Sequence, residues 1–325
     1  MDGGTNTNVT NNNNSTIDPI QCLYILDHKH MEPIIRYLYI SILVALTIFV
    51  SLTNIFLIIG LFKTNNKLSL SKKLFIYLSF SDLFTGMVTT PYQLSMVVLG
   101  SNASCFQVDL QSFLNVFTPG LSMFTILSIS IARYVSVDKP TFFRRNANSP
   151  WVFALMVGQV IIAIAAGIWY ASAHDPIQLG SFLIGVTFFC FTTIGGAIVI
   201  NVFLYRKLSN KSVGNMAQQQ IKTQNYHKAV IKTLIIISII LSMCFLPNGV
   251  VFSVVGYSVL VGDTDHMYNI YIPWVYLPIL FNAGVNSVVY IWRERKIARF
   301  IKSLFFSKIT TVSYTHLTLP TICSV

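Results

Sequence analysis

Charge is what this sequence has least of. Only 10% of its 325 residues are Asp, Glu, Lys or Arg, where a water-soluble domain carries roughly a quarter. Acid is scarcer than base, 11 residues against 22, and 54% of the chain is hydrophobic. Such a chain cannot cover itself with a solvated surface, so its composition is that of a membrane protein. The net charge of +11 does not point to nucleic acid, because the basic residues lie between apolar stretches rather than on one soluble patch. Cysteine is also scarce, and five residues exclude a disulfide scaffold. Cys190 and Cys244 sit inside apolar stretches and read as packing residues, which leaves Cys22 and Cys105 on the outer side as the two able to pair. A cleavable leader is missing from residues 1–20, which have neither a basic start nor an apolar core. The first apolar stretch is therefore expected to act as the signal anchor. No His, Cys or Asp cluster with metal-ligand spacing and no nucleophile–base pair lies in the apolar stretches, so an enzyme is the weakest reading.

What the chain has instead is seven long apolar stretches, at about 34–62, 73–99, 106–137, 150–172, 180–207, 228–257 and 267–292. Each is long enough to cross a bilayer, which takes about 20 residues of helix. The fold class is all-α, a seven-transmembrane helix bundle. Short connections make successive helices alternate in direction. All the Lys and Arg residues except Lys29 and Arg36 fall in the connections on one side or after the seventh stretch. By the positive-inside rule the N-terminus is outside and the C-terminus cytoplasmic, as in a plasma-membrane protein. Residues 1–33 are rich in Asn, Thr, Gly and Asp and are expected to be a disordered outer tail. Glycosylation acceptors begin at Asn8, Asn13 and Asn14. The longest inner connection, about 208–226, is polar and Gln-rich and is expected to be mobile.

Polar residues inside the apolar stretches mark the sites. In the third stretch Asn115, Ser122 and Arg133 are spaced by 7 and 11 residues, which places them on one helical face. Asp82 lies within the second stretch, and a carboxylate at that depth costs on the order of 3 kcal/mol unless it has partners or a cavity. Asn54, Ser122, Asn282 and Asn286 sit at similar depth. Together they make an oxygen-rich setting suited to a small cation such as sodium, with a hydrogen-bonded cluster closed by water as the alternative. The sixth stretch holds Cys244-Phe245-Leu246-Pro247, whose proline bends the helix, either as a fixed kink or as a pivot. After the seventh stretch, residues 293–311 include Arg293–Phe306, with Ile297, Phe300, Ile301, Leu304 and Phe305 on one face and basic residues on the rest. That pattern is a basic amphipathic helix lying on the lipids of the inner leaflet. Residues 312–325 (VSYTHLTLPTICSV) read as the translation of a synthetic sequencing adaptor and are set aside from fold reasoning, Cys323 included.

These residues together resemble a rhodopsin-like (class A) G-protein-coupled receptor, from the first stretch through the amphipathic helix. The resemblance rests on Asn54, on the LxxxD that ends at Asp82, on Ser122 followed by Ala132-Arg133-Tyr134, and on Pro140 seven residues after that arginine. It continues with Tyr205, with the CFLP of 244–247, and with Asn286-Ser-Val-Val-Tyr290. The resemblance implies a divergent receptor that activates heterotrimeric G proteins by outward movement of its sixth helix. It implies a sodium pocket at Asp82, Ser122, Asn282 and Asn286, with Asn54 alongside. It implies a coupling switch at Arg133, Tyr134, Tyr205 and Tyr290. It places the ligand pocket and its toggle at Asn115, Phe245 and Pro247, with Phe245 where the family carries a tryptophan.

The departures from the family are specific. Ala132 stands where the family has an acid, Ser287 where it has a proline, and His227 where it has an acid at the base of the sixth helix. Residues 173–179 contain no cysteine, so the family's disulfide to the second outer loop cannot form; the short loop is similar to that of the melanocortin- and lipid-receptor branch. Amine receptors have an aspartate where this chain has Asn115, and 267–292 contains no lysine for a retinal Schiff base. The ligand is expected to be an extracellular peptide or lipid rather than an amine. The alternative is an ion channel or transporter that uses Asp82 as an intramembrane ion site. It lacks an internal repeat and a second buried acid chain.

Overall fold

The computed structural model describes residues 32–64, 70–99, 103–146, 150–210, 218–262 and 267–306. The first helix, α1 (Pro33–Lys63), opens on a proline, tolerated there because the first turn has no partner for its missing N–H. It is followed by α2 (Leu70–Phe84), a widened π-helical turn (Thr85–Thr89) and α3 (Thr90–Leu99). Pro91, just inside α3, cannot bond back to the preceding turn. The turn before it widens, and the Thr90 hydroxyl donates to the Thr85 carbonyl at 2.9 Å. Together α2 and α3 form one bent crossing.

At the centre stands α4 (Cys105–Asp138), which packs against α2, α6 and α7 and is the most buried of the six long apolar helices among the described residues. Its first turn is closed by a capping box in which Ser104 and Gln107 satisfy each other's backbone N–H groups. Cys105 is disulfide-bonded to a partner outside the described residues, while Cys190 and Cys244 are free thiols. A short helix, α5 (Pro140–Asn146), leads to α6 (Pro150–Ala171). Then come α7 (Pro176–Ser209), α8 (Gln218–Val261), α9 (Met267–Arg293) and the amphipathic α10 (Arg295–Phe306). Among the described residues, six helices are long and apolar enough to cross a membrane, and the bent α2–α3 crossing makes the seventh.

Two contacts between neighbours differ sharply. The pair α7 and α8 packs along most of its length and meets most closely at Gly180 and Gly256. A Cβ added at Gly180 would lie 2.7 Å from the Gly256 carbonyl oxygen, so only glycine permits this approach. By contrast the backbones of α6 and α7, joined by residues 172–175, hardly approach each other, and the two helices meet through side chains. At the end rich in Lys and Arg, here the basic end, Ile297 of α10 is fully buried against Gly60 of α1. The opposite end is the far end. There Arg36 donates to the Val97 carbonyl at 2.5 Å and to the Val98 carbonyl at 3.1 Å, holding the last turn of α3.

Three expectations are corrected. Residues 218–226, expected to be part of a mobile connection, form the first turns of α8, because Gln and Lys are good helix formers even without an apolar face. The fifth crossing starts at Pro176 rather than about 180, set by Asp175, whose side chain accepts from the Gln178 backbone N–H. The amphipathic helix begins at Arg295, after a break at Glu294. The segments 1–31 and 307–325, with Asn8, Asn13, Asn14 and Cys22, lie outside the described residues.

Candidate functional site

Asp82 has no exposed surface. Its carboxylate accepts from the Ser122 hydroxyl of α4 at 2.5 Å and from the Asn286 amide of α9 at 3.3 Å, so three helices meet on one acid. Asn54 does not bond to Asp82. Its amide donates to the Val50 and Ala283 carbonyls at 2.9 and 3.1 Å, and its oxygen accepts from the Ser287 hydroxyl at 2.5 Å. Asn54 and Ser287 therefore tie α1 to α9 beside the acid. Ser287 was noted in the sequence only as a substituted proline, yet it makes one of the closest cross-helix bonds here. Asn282 lies one turn from Asn286 on the same face, 2% exposed, and its side-chain oxygen has no partner among the described residues. A carboxylate, a hydroxyl and this spare amide oxygen are the hard donors a small cation takes.

Farther from the basic end lies a cavity of about 380 Å³, within the usual range for small-ligand pockets. Asn115 and Phe245 line it, as the sequence suggested, with Phe252, Met123, Val186 and Ile279 supplying apolar wall. Pro247 does not line it. The proline lies on the exposed side of α8, and its contribution is the interrupted helix bonding beneath the cavity. No charged side chain is in the lining among the described residues. Gln111 donates to the Asn115 oxygen at 2.9 Å, and the Tyr276 hydroxyl is hydrogen-bonded to both Asn115 and Tyr170. That network joins α4, α6 and α9. Asn248, 9% exposed, also lines the cavity, and its side-chain oxygen has no partner among the described residues.

At the basic end Arg133 is buried and stands in electrostatic contact with His227 of α8. Tyr290 is buried against Phe75, ring centres 4.0 Å apart. Tyr134 lies beside Phe203. Tyr205 is instead turned to the outer surface of α7, 39% exposed, while Asn201, one turn earlier, donates to the Ser130 hydroxyl of α4 at 2.9 Å. Lys207 is ion-paired with Asp138, and Gln224 of α8 donates to the Leu208 carbonyl of α7 at 2.6 Å. Sequence reasoning missed Asn201, Gln224 and the Lys207–Asp138 pair.

Two comparisons with known proteins agree with this architecture. The chain is 18% identical over 226 residues to the tachykinin-like peptides receptor 99D of Drosophila melanogaster, covering 62% of this chain and 43% of that protein. The match thus spans less than half of the relative's length. Residues 53–290 match the family described as 7 transmembrane receptor (rhodopsin family), a span that takes in the buried acid, the cavity and the basic end. This chain belongs to the rhodopsin family of seven-transmembrane receptors.

Proposed function

We propose that this chain is a cell-surface receptor whose N-terminal tail is extracellular, which binds an extracellular peptide or lipid and activates heterotrimeric G proteins. The observation that carries this reading is the course of α8. One continuous helix presents Phe245 to the cavity, lacks one backbone hydrogen bond at Pro247, and sets His227 against the buried Arg133. A ligand that shifts the upper part of α8 therefore changes the contact at its basic end. Outward movement of that end would uncover Arg133 for a G protein. The relative named for tachykinin-like peptides supports a peptide, and the uncharged cavity lining supports a lipid; both argue against an amine, which needs a carboxylate partner.

The same reading makes Asp82, Ser122 and Asn282 a sodium site, with Asn286 holding the second carboxylate oxygen. A cation there would offset the cost of a buried carboxylate and favour the packing that brings α2, α4 and α9 together.

Nucleotide exchange on an added G protein tests the coupling. Ala132 and His227 carry no carboxylate at the two places where the family resemblance expects one, and the Asp138–Lys207 pair is partly exposed, so solvent and salt screen it. The wild type is expected to exchange nucleotide without ligand. Ala132→Asp adds a charge-assisted contact of about 1–2 kcal/mol and lowers that rate roughly five- to thirtyfold; Arg133→Ala abolishes it. A wild type silent without ligand and unchanged by Ala132→Asp defeats the argument. Ion flux through the purified protein in a bilayer would return Asp82 to the role of an ion step.

A further inference from the structure

The cavity opens sideways. Near the far end α6 and α7 are closed by aromatic rings, with Phe182 stacked on Tyr170 at 5.0 Å and set edge-on to Trp169 at 5.4 Å. Below that cluster the two helices separate. Ile162 of α6 and Gly185 and Phe189 of α7 all line the cavity, and all three are also exposed on the outer surface of the bundle. Residues that face inward and outward at once mark an opening. Its lower edge is the contact of Phe189 with Phe124 of α4, ring centres 5.5 Å apart. From Phe182 to Phe189 is about 10 Å of helix. At the middle of this window a Cβ added to Gly185 would meet nothing within 4 Å.

The chemistry of the cavity narrows what enters by that route. A carboxylate or ammonium would find no countercharge among the described lining residues, which disfavours it. A peptide passing through a window at membrane depth would bring a row of backbone N–H and C=O groups into a lining with few polar partners. An alkyl chain brings none. The cavity nonetheless holds an unmet demand, the Asn248 oxygen, nine-tenths buried and without a donor among the described residues. Buried amide oxygens in folded proteins are nearly always paired.

We propose that the cavity takes an uncharged single-chain lipid from the bilayer, entering between α6 and α7, whose hydroxyl or amide head donates to the side-chain oxygen of Asn248. This rests on the receptor reading above and names the ligand class of the same cavity. A lipid of this kind is concentrated in the membrane at the level of the window.

The test uses the full chain in lipid nanodiscs with a monoacylglycerol carrying a photoreactive diazirine in its acyl chain. After irradiation the attachment sites are mapped by mass spectrometry. Attachment is expected on cavity residues such as Met123, Val186 and Phe252. Gly185→Trp closes the window and is expected to cut that labelling at least about tenfold; Gly185→Ala leaves it unchanged. Asn248→Leu, which removes the acceptor, is expected to cut it about tenfold, the scale of one good hydrogen bond. Both variants are checked for an unchanged elution profile and melting temperature. Attachment confined to lipid-facing residues, or cavity attachment that neither Gly185→Trp nor Asn248→Leu reduces, overturns the proposal and leaves the cavity to a ligand such as a peptide entering from the far end. Labelling needs no G protein, so its failure is distinct from a failure of nucleotide exchange.

Discussion

At the scale of single residues, the cluster around Asp82 separates a charge effect from a hydrogen-bond effect. Asp82→Asn keeps an oxygen for the Ser122 hydroxyl and loses the Coulomb attraction to a cation. The variant is expected to fold, with stability changed by about 1 kcal/mol, and to lose the response of nucleotide exchange to sodium. Sodium is replaced by an organic cation at equal ionic strength, so that screening is held constant. If wild type and variant respond alike, the cluster is closed by water and binds no cation. Asp82, Ser122 and Asn286 were legible because a charge in an apolar helix demands partners at the same depth. Ser287, Asn201 and Asn248 were not. Hydroxyls in these helices mostly bond to their own preceding turn, as Thr118 does to Leu114 and Ser238 to Leu234. Nothing in a one-dimensional pattern distinguishes such a residue from one that reaches across to a neighbour.

Among the helices themselves, the crossings were readable from length and hydropathy, and their ends only where capping chemistry is local. Ser104 with Gln107 and Asp175 with Pro176 are start signals of that local kind, but they went unread, and the fifth crossing was placed about four residues late. The extension of α8 to Gln218 has no apolar stripe to announce it, and the π turn before Pro91 depends on how one proline is accommodated. The close approach of α7 and α8 was equally hidden, since Gly180 and Gly256 look like any other glycines in apolar helices. Their difference is testable. Gly256→Ala puts a Cβ 2.9 Å from the Gly180 carbonyl oxygen and is expected to cost about 1–3 kcal/mol. Gly158→Ala meets nothing within 4 Å and is expected to be neutral or stabilising by up to about 1 kcal/mol. Thermal unfolding in one detergent measures both; equal losses would mean that the crossing tolerates a methyl group.

For the molecule as a whole, orientation follows from where the basic residues lie. With the N-terminal tail outside, Asn8→Gln together with Asn13→Gln and Asn14→Gln is expected to reduce the glycosidase-sensitive shift on a gel, and adding Asn102→Gln, at the Asn102-Ala103-Ser104 sequon on the same side, to abolish it. Asn210→Gln, at the sequon on the basic end, is expected to leave the shift intact. The reverse outcome turns the bundle over. The Gly180–Gly256 crossing also has a mechanical consequence. If α8 turns there as one piece, the crossing is a fulcrum. Phe245 lies 11 residues from it and His227 lies 29, roughly 17 and 44 Å along the axis. A push of about 1 Å at Phe245 then becomes roughly 2.6 Å at His227. The lever ratio is set by where one pair of glycines sits, so a small displacement in the cavity wall is magnified at the opposite end of the same helix.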